Sequence, residues 1–244
     1  MEAVFRFYAE LNDFLAPAQR GRAVRHAIAR DASVKHMIEA LGVPHTEVAL
    51  ILVNGRPQDF SWRLQEGDRI SAFPVFMQLD IGPSLLRPAL PWPAGFVADA
   101  HLGQLAKNLR MLGFDVLYRN DYHDAEVTRI ASEEQRVVLT RDRDLLIRKE
   151  IVHGCYLHAL DADAQAIEVL ARYRLRDAVH PFSRCLTCNG LLHRVGKDAV
   201  AHRVPQRSLQ HHDVFHECSE CKQVYWEGSH VERMRLRMAR LLRE

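Results

Sequence analysis

Apolar positions along the chain change their period twice. Ala3-Val-Phe-Arg-Phe-Tyr8 alternates like a strand, and a second strand is expected around Ala23 to Ile28. Ser33 then offers an N-cap, and Val34, Met37, Ile38 and Leu41 follow at helical spacing before Gly42 closes the turn. The run from Glu47 ends in Asn54-Gly55, a hairpin signal, and Gln65-Glu-Gly-Asp68 turns into a last strand through Phe73. From residue 96 the pattern alternates between short apolar runs and helical stripes. Phe96-Val-Ala ends at Asp99. Leu102, Leu105, Ala106, Leu109 and Leu112 share one helix face, closed by Gly113. Asp115-Val-Leu-Tyr118 is a strand, Asp124 is placed to cap a helix carrying Val127, Ile130 and Ala131, and Arg136-Val-Val-Leu-Thr140 is a third strand. A short helix over Leu145 to Lys149, a strand at Cys155 and a helix from Asp163 to Tyr173 complete the series. Strands alternating with helices predict a parallel sheet covered on both faces, hence an α/β core.

The order ββαββ in residues 1–80, one helix over a mixed sheet, resembles a ubiquitin-like β-grasp domain, nearest to the small sulfur-carrier branch. Such carriers act through a free C-terminal Gly-Gly. Here Ala72-Phe-Pro-Val-Phe-Met77 continues into more chain, so the domain is expected to bind or dock, with a protein partner. Pro83, Pro88, Pro91 and Pro93 make residues 81–95 a stiff linker. Residues 96–180 form the central α/β domain, and 181–244 a third module.

Composition narrows the classes. The 244 residues are 48% hydrophobic and 26% charged, enough for real cores. A net charge of +2 does not by itself point to nucleic acid, so such a claim rests on local clusters. The longest apolar run, Val48 to Val53, is far short of the about 20 residues a membrane helix needs. With no signal-peptide pattern at the N-terminus, a cytoplasmic protein with no membrane role is expected.

The acids carry candidate chemistry. Asp142 and Asp144 stand one residue apart at the end of the third central strand, Asp99 ends the first, and Asp124 opens the intervening helix. Open parallel sheets bind ligands at the carboxyl ends of their strands. Four carboxylates at one rim repel each other unless a cation joins them, and Mg²⁺ takes such oxygen ligands together with phosphates. Asp121 and Glu126 compete for the place given to Asp124, and the plain reading of any of these acids is a solvated cap or turn. Lys107 and Arg110, and Arg141 beside the acidic pair, are candidates for phosphate contacts, with a solvated helix face as the alternative.

These stretches, Phe96-Val-Ala-Asp99, Leu105 through Asp115 and Val138 through Asp144, resemble the PIN-like ribonuclease domain first described at the C-terminus of the Mut-seven exonuclease. That family follows its nuclease fold with a zinc ribbon, and some members carry a ubiquitin-like N-terminal domain. The resemblance spans 1 to about 235. It implies a Mg²⁺- or Mn²⁺-dependent ribonuclease acting on single-stranded RNA, with Asp99, Asp142 and Asp144 as metal-binding acids and Asp124 as the fourth catalytic acid.

Cys185-Leu-Thr-Cys188 and Cys218-Ser-Glu-Cys221 are two C-x-x-C pairs whose four thiolates suit one tetrahedral Zn²⁺. The stretch between them, longer than usual, leaves room for ribbon strands plus an insertion. His211, His212 and His216 are alternative ligands, but four cysteines close the shell and make the zinc structural. Cys155 reads as a small buried hydrophobe. A C-terminal helix, His230 to Leu242, carries Val231, Met234, Met238 and Leu241 on one face, expected to dock on the protein. Its arginines, with Arg184, Arg194, Arg203 and Arg207, are candidates to grip RNA. Against the hydrolase stands a non-catalytic RNA- or ribosome-associated zinc-ribbon adaptor in which the acids are structural.

Overall fold

The computed structural model describes residues 1–75 and 86–243. The expected end of the N-terminal domain at 80 and the start of the linker at 81, Pro83 included, lie outside the described residues. In chain order the elements are β1 (Glu2–Phe7), β2 (Ala23–Ala27), α1 (Val34–Ala40), β3 (Leu50–Val53), β4 (Arg56–Gln58) and β5 (Arg69–Phe73). Next come β6 (Gly95–Ala98), α2 (Gly103–Met111), β7 (Asp115–Leu117), α3 (Asp124–Glu133), β8 (Val137–Thr140), α4 (Arg143–Leu146), β9 (Gly154–Tyr156) and α5 (Ala162–Arg172). The chain closes with β10 (Leu192–Val195), α6 (Lys197–Val200), α7 (Gln206–His211), β11 (Phe215–Cys218), β12 (Val224–Trp226) and α8 (Ser229–Leu241). Two compact units result: Met1–Trp92 with Asp124–Tyr156, and Pro93–His123 with Leu157–Glu244.

In the first unit the strands run β2-β1-β5-β3-β4, with β1 and β5 parallel and the other pairs antiparallel. The alternation in β1 buries Ala3, Phe5 and Phe7, which meet Val34, Met37 and Ile38 of α1 and Ile51, Val53 and Ile70 of the sheet. Each such large side chain contributes about 1.5–3 kcal/mol on leaving water. Ser33 caps α1 as expected, its hydroxyl accepting the His36 N–H at 3.2 Å. Asn54 and Gly55 both have positive φ (52° and 81°), the backbone that a two-residue hairpin between β3 and β4 requires. The same unit contains α3, β8, α4 and β9. Here β8 and β9 pair in parallel, and all four residues of β8 are buried, as in a strand covered on both faces.

Several boundaries differ from the sequence reading by a residue or more, two of them at candidate acids. Asp124 is the first residue of α3 rather than its cap. Helix α4 starts at Arg143, not Leu145, because the Asp142 carboxylate accepts the Asp144 N–H at 2.8 Å and nucleates the turn two residues earlier.

In the second unit β6 and β7 pair in parallel, and α2 packs on β7 and α5. Strands β10-β11-β12 form a separate antiparallel sheet. The connection between β10 and β11 is largely helical: α6, the turn after it and α7 supply Val200, Val204 and Leu209 to a small core with Phe215 and Val224. Helix α8 docks through buried Met238 and Leu241, and Arg237 pairs with Asp163 at 2.6 Å at the start of α5. Among the described residues no helix is long and apolar enough to cross a membrane.

Candidate functional site

The four cysteines of the two C-x-x-C pairs converge. Their sulfur atoms all lie within 4.8 Å of one another, with Cys188 to Cys218 at 3.3 Å and Cys185 to Cys221 at 3.6 Å. The edge of a tetrahedron of thiolates around zinc is about 3.8 Å for a Zn–S bond of about 2.3 Å, so this donor set fits such an ion. Local structure explains the convergence. Each pair is followed by a residue in the left-handed region, Asn189 (φ 77°) and Lys222 (φ 62°), which turns the chain back under its own cysteines. Cys185 N–H donates to Gly190 O at 2.7 Å, and Cys218 N–H to Gln223 O at 3.0 Å. Gly190 is needed for the approach: a Cβ there would stand 2.7 Å from Cys218 Sγ. The histidines weighed as alternative ligands, His211, His212 and His216, are not part of the cluster.

Burial opposes ionisation of Cys185. Hydrogen bonds from the Tyr225 hydroxyl (3.1 Å) and the N–H groups of Cys188 and Thr187 outweigh it, drawing its thiol down to about 6. Burial pushes Cys221 up to about 12 and raises Cys218. Four sulfurs this close do not all ionise without a cation between them.

Arg110 supports this centre and does not face solvent. It is 2% exposed and donates to Val116 O (2.9 Å), Leu186 O (3.1 Å) and Thr187 O (2.9 Å). Burial lowers its pKa, partly offset by the charges of Cys188 and Cys185. The expected phosphate contact is therefore replaced by an internal brace, in which Arg110 holds carbonyls of the first cysteine loop. Asn189 and Arg184 complete the brace, both bonding to Asp115, at 2.8 and 3.3 Å. Sequence reasoning missed Asn189, Asp115 and Tyr225. The signal was an Asn following a C-x-x-C pair, a residue type that tolerates positive φ.

The acids stand where the strands end. Asp142 and Asp144 are exposed just beyond β8, and Asp142 N–H donates to Thr140 Oγ1 at 2.9 Å. Asp124, in the same unit, pairs with Arg148 at 3.1 Å. Asp99 follows β6 directly and belongs to the second unit. Of the competitors, Asp121 is tied to Arg119 at 2.6 Å, a hydrogen bond that lowers its pKa, and Glu126 lies in the first turn of α3. Lys107 and Arg141 are exposed. Cys155 is buried in β9, as expected of a small hydrophobe.

Comparison with known proteins places two models on the chain. The Mut7-C RNAse domain matches residues 94–238, and the Mut7-C ubiquitin domain matches residues 1–80. No curated protein matches. Among solved structures, that of SAMP1 from Haloferax volcanii covers 34% of this chain and 100% of its own, at 19% identity and a TM-score of 0.26.

Proposed function

This chain belongs to the Mut7-C RNAse domain family, and from that premise we propose that it is a metal-dependent ribonuclease hydrolysing phosphodiester bonds of single-stranded RNA. In this reading a ubiquitin-like domain (1–80) and a linker (81–95) precede a PIN-like nuclease domain (96–180), and a zinc ribbon with a C-terminal helix (181–244) follows, in a cytoplasmic enzyme. The observation that carries the reading is the pair Asp142 and Asp144, solvent-facing at the carboxyl end of a buried parallel strand inside the region that the nuclease family matches.

Asp99, Asp142 and Asp144 would hold Mg²⁺ or Mn²⁺, with Asp124 as the fourth acid. When bound, the ion lowers the pKa of a coordinated water and offsets charge on the phosphoryl oxygens. The chain's own contribution is to hold the carboxylates. Thr140 and the Asp144 N–H fix the Asp142 loop, and Arg148 fixes the Asp124 carboxylate. Lys107 and Arg141 are the surface cations assigned to RNA phosphates. The four cysteines would hold Zn²⁺ as a complete tetrahedral donor set, and the ion would supply structure rather than catalysis.

A second reading, a non-catalytic RNA- or ribosome-associated adaptor, is favoured by one feature. Capping by Asp142 and the Asp124–Arg148 ion pair account for two of the acids without any metal. Cleavage of a labelled single-stranded RNA by the full chain in Mg²⁺ or Mn²⁺ separates the two. The ribonuclease reading expects cleavage that falls at least about 100-fold in Asp142→Asn. RNA binding without turnover, or an Asp142→Asn protein as fast as the parent, establishes the adaptor or removes the assignment of Asp142.

A further inference from the structure

We propose that the ubiquitin-like domain is a fixed platform for the Asp142/Asp144 loop, with Arg143 as the positioning residue that joins them. The inference deepens the ribonuclease reading and rests on it for the role of the two acids.

The loop and the N-terminal domain share one compact unit. Arg143, between the two aspartates, reaches into that domain. Its Nη1 donates to Phe14 O at 3.2 Å, and its guanidinium carbon lies 5.2 Å from the centre of the Phe14 ring and 5.9 Å from that of Tyr156. The two rings meet edge to face, centroids 5.0 Å apart. A planar cation over two aromatic rings is held by their quadrupoles as well as by its hydrogen bond. Since Asp142 caps α4 and Asp144 lies in its first turn, fixing Arg143 fixes the turn that presents both carboxylates.

The platform is itself locked. Glu47 is fully buried, and its carboxylate accepts the Tyr156 N–H of β9 at 2.7 Å. His45 Nε2 lies 2.9 Å from Ile151 O. Segment 45–48 is also held by Arg87, which donates to the carbonyls of His45, Thr46 and Val48. The approach is close: a Cβ on Gly154 would meet Leu146 Cδ2 at 2.6 Å and Thr46 Cβ at 3.1 Å. Undocking would break the hydrogen bond between Glu47 and the Tyr156 N–H and bare an edge-strand N–H, so this contact is unlike a loose tether.

Hydrogen–deuterium exchange of the full chain, read by peptide mass spectrometry, tests the platform without turnover. Phe14→Leu and Arg143→Lys are each expected to raise exchange across 141–147 at least fivefold while 137–140 stays protected. Lys keeps the charge but not the planar stack, so a purely electrostatic role leaves Arg143→Lys at the parent rate and overturns the proposal. Arg143 is exposed, so its variant keeps the test intact if Phe14→Leu weakens the N-terminal core. In RNA cleavage both variants are expected to lose kcat at unchanged KM; raised exchange with unchanged kcat overturns the positioning role. If the parent protein does not cleave RNA, the ribonuclease reading falls, while the exchange result still judges the docked platform.

Discussion

The Asn189 side chain bridges two partners on one strand: its Nδ2 donates to Asp115 Oδ1 at 2.8 Å, while its Oδ1 accepts the Val116 N–H at 3.1 Å. The residue that turns the first cysteine pair thus also satisfies β7. The cysteine centre and the β6–β7 half of the second unit share a hydrogen-bond network, so disturbing one is expected to loosen the other.

Metal analysis of the purified full chain is expected to give one zinc per molecule. Gly190→Ala, which removes no ligand, would push a methyl group against Cys218 Sγ and is expected to cut zinc retention under chelator competition at least tenfold. Cys188→Ser should abolish retention. Full zinc in Cys188→Ser would disprove the four-cysteine shell.

Arg110 and Lys107 lie one helical turn apart and should behave oppositely. Arg110→Met leaves three carbonyls without their donor and is expected to lower unfolding free energy by about 2–4 kcal/mol. Lys107→Ala should leave stability within about 0.5 kcal/mol. It should instead reduce the salt dependence of RNA binding by about one unit of slope. Chemical denaturation and binding titrations at several salt concentrations check both.

Acidification should weaken the first unit through His153. Burial, and then the positive charge of Arg87, lower its pKa below 6.5. The unfolded chain therefore takes up this proton at higher pH than the folded one. The neutral ring costs nothing above about pH 6.5, and stability falls as pH drops below that value. Melting curves between pH 7.5 and 5 should show a smaller decline in His153→Asn than in the parent; parallel declines would contradict this.

Much of this architecture was legible because each level pointed the same way. The Ala3–Phe5–Phe7 alternation, the Ser33 cap and the Asn54-Gly55 turn all appear in the β-grasp sheet. The cysteine spacing announced a shared ion site, and the structure brings the sulfurs together. The failures came where tertiary contacts override local pattern. Arg110 looks like a surface cation by helical spacing, but the loop that buries it lies about 75 residues later and no periodicity reports that. Arg143 stands between the two acids in sequence, and its neighbours in space, Phe14 and Tyr156, are set by docking that no local pattern reports. Asp124 does open α3, and its ion pair with Arg148 is a contact that helical spacing does not announce.

The proposal on which the account depends is that Asp142 and Asp144, at the exposed end of β8, hold a divalent ion. Mn²⁺ titration of the zinc-loaded full chain, followed by electron paramagnetic resonance, measures this without RNA. The account predicts one tight Mn²⁺ site, weakened at least about tenfold by Asp142→Asn and by Asp144→Asn alike. Mn²⁺ uptake unchanged in both variants would contradict it.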